Sequence, residues 1–216
     1  MIRIQRAGDR YPGGDPGAGV ETRHALSFGP HYDPDNLRFG PLLAVNEERL
    51  APGAGFDEHP HSHTEIVTWV VEGELTHRDT TGHETVVRPG DLQHLSSAAG
   101  VRHVERNAGD TPLTFVQMWL APRETGGEPS YTLVRDLRGP YALPAAGATL
   151  TVHRPGKGEE VRLPDGGTVY VHVARGTATL AGRELGEGDA ARITDEPASA
   201  LTAGDAAELL VWAADS

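Results

Sequence analysis

Apolar positions along this chain come in short bursts separated by polar and glycine-containing segments. The clearest bursts cover 42–45, 65–71, 85–87, 113–120, 150–153, 168–174, 177–180 and 209–212, and they are rich in Val, Thr, Leu and aromatic residues. Segments this short with that composition predict strands, since an amphipathic helix needs about ten residues to display its period. Turn signals stand between them, at Glu72-Gly73, Pro89-Gly90-Asp91, Arg175-Gly176, Ala181-Gly182 and Glu187-Gly188-Asp189. Such dipeptides stop a strand because Gly and Asp adopt turn conformations that other residues resist. Only 34–37 reads as a short helical stretch. Many short strands at close spacing predict an all-β protein, a β-sandwich or jelly roll.

The strand pattern occurs twice. Gly73, Pro89-Gly90-Asp91 and Ala108-Gly109-Asp110 lead to Trp119; Gly176, Glu187-Gly188-Asp189 and Ala203-Gly204-Asp205 lead in the same order to Trp212. Three matched turns, each series ending in a Trp strand, point to duplication of one domain. The Gly-, Pro- and Glu-rich segment 122–129 is the natural boundary, giving an N-terminal domain over 1–124 and a C-terminal domain over 125–216.

Composition narrows the chemistry. With 38% hydrophobic and 23% charged residues, 216 residues suffice for two domains with real cores. No run reaches the roughly 20 apolar residues of a membrane span. The first nine residues lack the apolar region of a signal peptide, so a soluble, cytoplasmic protein without membrane association is expected. The chain has no cysteine, which excludes disulfides, thiolate metal sites and cysteine nucleophiles. A net charge of -12 argues against a direct nucleic-acid surface, which needs a basic face to displace counterions.

Histidine is the composition outlier. Seven of the eleven (His59, His61, His63, His77, His83, His94, His103) fall between positions 59 and 103. Two motifs stand out there: His59-Pro60-His61, and His103-Val104-Glu105 after Pro89-Gly90-Asp91. Residues two apart on a strand share a face, so each pair can reach one ion. Two strands facing each other across a barrel would then supply three imidazoles and one carboxylate, His59, His61, His103 and Glu105. That set leaves one or two positions open for a ligand and suits Fe(II), Mn(II), Ni(II), Cu(II) or Zn(II). His63 and Glu65 continue the same spacing, so His61, His63, Glu65 and His103 form a competing set. His77, His83 and His94 are expected at the surface or orienting the ligating imidazoles; His24, His31, His153 and His172 carry no assigned role. No comparable pair occurs near 160–164 or 199–203, so the C-terminal domain is expected to lack metal ligands.

The runs Gly55-Phe56-Asp57-Glu58-His59-Pro60-His61, Glu65 to Gly73, Pro89 to Gln93 and Gly100 to Glu105 resemble the pirins. Ser27-Phe28, Tyr32-Asp33-Pro34 and 42–46 resemble the bacterial branch of that family, though Ser62-His63-Thr64 departs from the Arg-Gly-aromatic stretch of animal pirins. The resemblance implies two tandem cupin domains, each a jelly-roll barrel, with a single metal, usually iron, in the first. It maps the family's ligands onto His59, His61, His103 and Glu105. It also implies a metal-dependent dioxygenase of the quercetin 2,3-dioxygenase type, taking a small aromatic substrate and dioxygen. Glu105 would then remove the substrate's hydroxyl proton, with Phe56, Trp69, Met118 and Trp119 as candidate apolar walls. Two alternatives accompany it: a metal-dependent regulatory protein that binds a protein partner without turnover, and a non-oxidative cupin enzyme such as an isomerase.

Overall fold

The computed structural model describes residues 1–165, 167–197 and 199–214. Apart from four one-turn 3-10 helices, these residues form strands and loops. The segment expected to be helical is one of those turns, Pro34–Asn36, opened by the Asp33 carboxylate accepting from the Asp35 amide at 3.0 Å. Each predicted strand is present, several of them longer than the apolar burst that marked them. Leu42–Leu50 runs on through Asn46, Glu47, Glu48 and Arg49, polar residues that a hydrophobicity pattern reads as a strand's end. No helix among the described residues is long and apolar enough to cross a membrane.

The chain divides into two compact units, one of Tyr11–Arg38 and Leu42–Leu137, the other of Met1–Arg10, Phe39–Pro41 and Arg138–Ser216. In the first, a seven-stranded antiparallel sheet packs on a four-stranded one. Val20, Leu50, Val70 and Phe115 from the larger sheet meet Leu75 and Val87 from the smaller one in a common core. Leu113 and Phe115, two apart on Leu113–Leu120, put one face of that strand on this core, as a two-layered β-fold requires. The second unit repeats the plan with a six-stranded and a four-stranded sheet around Val171, Leu180, Leu185 and Leu209. Both are cupin-type jelly rolls.

The two units share one strand order. Leu92–Ser96, Glu65–Glu72, Leu113–Leu120 and Leu42–Leu50 are successive neighbours in the first, as Ala190–Thr194, Thr168–Arg175, Glu208–Ala214 and Ala148–His153 are in the second. The matched turn glycines agree in detail. Gly73 has φ +78° and Gly176 φ +73°; a Cβ would lie 2.6 Å from the Pro112 carbonyl oxygen at the first and 2.4 Å from that of Ala206 at the second. Both sites require glycine for the same two reasons, backbone conformation and close approach.

The division at 124/125 needs correcting at both ends. Ile2–Gln5 pairs with Ala190–Thr194 of the second unit, and Ile2 and Ile4 pack against that unit's core. Ser130–Val134 pairs with Leu92–Ser96 of the first. Each sheet thus gains an edge strand from beyond its half of the sequence, which satisfies backbone groups that would otherwise face outward.

Candidate metal centre and its cavity

Gly55–His61 and Val101–Arg106 are hydrogen-bonded neighbours in the four-stranded sheet, and do not face each other from opposite walls as the spacing suggested. His59 stands directly across from His103, and the register shifts between His103 and Glu105, so that Glu105 pairs with Phe56. Adjacent strands bring the imidazoles closer than opposite walls could. Ring centroids lie 4.4 Å apart for His59–His103, 4.8 Å for His59–His61 and 4.9 Å for His61–His103. One nitrogen from each of the three falls within 4.8 Å of the others.

These nitrogens are in the right chemical state to hold a cation. The Nδ1 of His59 donates to the Asp57 carbonyl at 2.7 Å, which fixes the tautomer and leaves Nε2 as a lone pair. His61 Nε2 and both ring nitrogens of His103 are buried without a hydrogen-bond partner. Burial, reinforced by His103 and His59, pushes the His61 pKa down to about 4, so its ring is neutral at pH 7. His103 is also lowered, by burial first. Buried polar atoms are rarely left unpaired. Three imidazoles converging beside unpaired ring nitrogens of His61 and His103 fit one transition-metal ion.

Glu105 is buried beside them and held by two amides. Gln93 Nε2 donates to Oε1 at 3.1 Å, and Gln117 Nε2 donates to Oε2 at 2.8 Å. Each glutamine is itself fixed the right way round: the Tyr131 hydroxyl donates to Gln93 Oε1 at 3.1 Å and Trp119 Nε1 to Gln117 Oε1 at 3.0 Å. Burial raises the Tyr131 phenol to about 12, so it remains a donor. Burial likewise pushes Glu105 upward, but His103, His77 and the Gln117 amide together outweigh it, and the carboxyl stays below its usual range. The result is a carboxylate anchored at both oxygens.

Of the predicted four, the structure gathers His59, His61 and His103 in one grouping. Glu105 shares a second grouping with His103 and His77, again within 4.8 Å. The competing set fails. His63 sits in a turn with φ +54°, which ends the alternation that would have carried it past His61. The Glu65 carboxylate is engaged by His94 Nε2 at 2.6 Å and Ser96 Oγ at 2.9 Å. His77, expected at the surface or orienting a ligand, is fully buried, 3.1 Å from Asp79 and stacked on Tyr131. His83 also stacks on Tyr131, at 4.8 Å between ring centroids.

A cavity of about 410 Å³ opens beside this cluster, lined by His59, His61 and Glu105, with Phe28, Phe56 and Trp119 among its apolar walls. Its size suits a small-molecule ligand. Phe56 and Trp119 were expected here; Trp69 and Met118 are instead wholly buried core residues and do not line it. Thr22, His24, Asn46 and Glu48 also line it, and of these only Asn46, at the end of the run 42–46, lies in a segment that the sequence singled out.

A family model described as Pirin matches residues 6–120, more than half the chain. The chain belongs to the pirin family. The second half of this pirin, residues 146–212, matches a model described as the quercetinase C-terminal cupin domain. A Mycobacterium tuberculosis protein named, provisionally, as a quercetin 2,3-dioxygenase is 40% identical, over 98% of this pirin and 94% of its own length. The quercetin 2,3-dioxygenase of Escherichia coli K12 is 30% identical over 98% of both chains. Among solved structures, YhhW of Escherichia coli superposes with a TM-score of 0.90 at 28% identity, covering 100% of this pirin and 98% of that chain. A second structure, the bacterial pirin YhhW in complex with nickel(II), gives a TM-score of 0.90 and covers 98% of both chains.

Proposed function

We propose that His59, His61, His103 and Glu105 hold one divalent transition-metal ion, and that the protein is a metal-dependent dioxygenase of the quercetin 2,3-dioxygenase type acting on flavonol-like aromatics. The observation that carries the reading is the convergence of three imidazoles, with unpaired buried nitrogens on His61 and His103, beside a clamped carboxylate at the wall of a ligand-sized cavity. The nickel-bound relative and the quercetinase names of other relatives support it. Fe(II) is the preferred ion; Mn(II), Ni(II), Cu(II) and Zn(II) also suit a nitrogen and oxygen donor set.

When bound, the ion supplies Lewis acidity that makes a substrate hydroxyl easier to deprotonate. Glu105, ionised and aimed into the cavity, accepts that proton as general base. Gln93 and Gln117 keep the carboxylate in place while it does so. Phe28, Phe56 and Trp119 flank the aromatic body and exclude water from it. The deprotonated ring is then open to addition of dioxygen and ring cleavage.

Oxygen uptake measured together with quercetin loss, on protein loaded with each metal in turn, tests this. Stoichiometric consumption of both is expected, with a loss of at least about 100-fold in His59→Ala and Glu105→Gln. Protein that binds metal yet consumes no oxygen with any of the five ions would remove the dioxygenase assignment.

A further inference from the structure

The cavity has a second polar wall for which the metal centre gives no reason. Val20–His24 and Leu42–Leu50 are antiparallel neighbours, with Thr22 opposite Glu48 and His24 opposite Asn46. Four polar side chains therefore form a block on the inward face of the larger sheet, and all four are buried. Within the block the Thr22 hydroxyl donates to Glu48 Oε2, and His24 Nδ1 is 2.9 Å from Asn46 Oδ1. The His24 ring lies flat on Phe28, 4.7 Å between centroids, and Gly13 leaves it room, since a Cβ there would stand 2.3 Å from Nε2.

Glu48 is the unusual member. It has no basic partner among the described residues, and no lysine or arginine lines the cavity. A buried carboxyl without a counter-charge opposes folding, and a leucine would fill the same inward position without that penalty. Burial pushes the Glu48 pKa up to about 8, outweighing the hydrogen bonds from Thr22 and Asn46 that lower it, while the charges of Glu105 and Glu47 add smaller upward pushes. The Glu48 carboxyl can accept a hydrogen bond, and the neighbouring Asn46 amide can donate one. With Thr22 beside them, the two match a hydroxyl, which also donates and accepts. Nothing in the wall would balance a carboxylate or phosphate.

We propose that Glu48, with Thr22 and Asn46, forms a subsite that hydrogen-bonds a second, phenolic hydroxyl of the substrate, distinct from the oxygens that face His59 and His61. The inference rests on the cavity being the substrate pocket of the centre proposed above. His24 and Phe28 form the flat floor beside that hydroxyl.

The test is binding, measured anaerobically on metal-loaded protein by calorimetry, for quercetin and for 3-hydroxyflavone. The second ligand keeps the 3-hydroxyl and 4-keto oxygens and lacks the other hydroxyls. Wild type should prefer quercetin. Glu48→Ala should weaken quercetin about tenfold, the effect of one lost buried hydrogen bond, while 3-hydroxyflavone stays within about twofold. Thr22→Val should move quercetin in the same direction by less, and Glu48→Gln should keep most of the preference because an amide oxygen still accepts. These two milder variants decide the matter if Glu48→Ala does not fold. Equal weakening of both ligands, or an undiminished preference for quercetin in Glu48→Ala and Thr22→Val, would overturn the subsite. If binding follows the expected pattern while no oxygen is consumed, the dioxygenase reading fails and the subsite stands. If oxygen is consumed and the preference survives Glu48→Ala, the reverse holds.

Discussion

Single side chains in this protein act through the groups that hold them. Glu105 is useful as a base or ligand only while Gln93 and Gln117 occupy its two oxygens in the observed orientation. Groups that orient ligands typically change metal affinity by 10–100-fold when removed. Gln117→Leu is therefore expected to weaken metal binding by about tenfold without abolishing it, as read by competition with a chelator. Asp79 offers a pH-dependent counterpart. Although burial opposes ionisation, hydrogen bonds from Thr81, His77 and the His83 backbone lower its pKa to about 2. A carboxyl lowered in the folded state stabilises it fully above the unfolded value, and that stability is lost as pH falls towards the folded one. Wild type should therefore lose stability between about pH 4 and pH 2, and Asp79→Asn should remove this component, visible in denaturant midpoints across the range. The histidine ligand candidates were legible in the sequence because two residues apart on a strand means one face. Gln93, Gln117, Thr22 and Glu48 were not, since they come from strands remote in sequence. Their signal was nonetheless present: Gln117 interrupts the apolar run Leu113–Leu120 at an inward position, where a polar residue implies a partner.

At the scale of elements, the bursts of Val, Thr and aromatics located the central strands because those strands are buried on a face. Edge strands were harder to see. Ile2–Gln5 and Ser130–Val134 are short and half-polar, and their pairing partners lie far away in sequence, so no local pattern assigns them to a sheet. This is why the expected boundary at 124/125 went astray. Alternation does survive in Ile2-Arg3-Ile4-Gln5, whose two isoleucines pack on the second unit's core. Replacing Ile2 and Ile4 with serine removes that partly buried apolar area and should cost about 2 kcal/mol. A lower denaturant midpoint with unchanged metal binding is the expected result. The strand pairing of the two motif strands shows the opposite case: their faces were predictable, but their adjacency within one sheet was not.

Across the whole molecule, duplication produced two jelly rolls and one candidate centre. In the first unit His59 pairs with His103; in the corresponding strands of the second, Val161 pairs with Leu201, and both belong to the apolar core. Among the described residues, the groupings able to hold a metal both lie in the first unit. They share His103, and this poses the decisive question, since one places the ion against His59 and His61 and the other against His77 and Glu105. The direct measurement is a crystal structure of metal-loaded protein with anomalous scattering collected at the metal's absorption edge. One anomalous peak bonded to nitrogens of His59, His61 and His103 and to an oxygen of Glu105 is the predicted result. A peak held by His77, His103 and Glu105 without His59 and His61, or no peak in protein saturated with metal, would contradict the account.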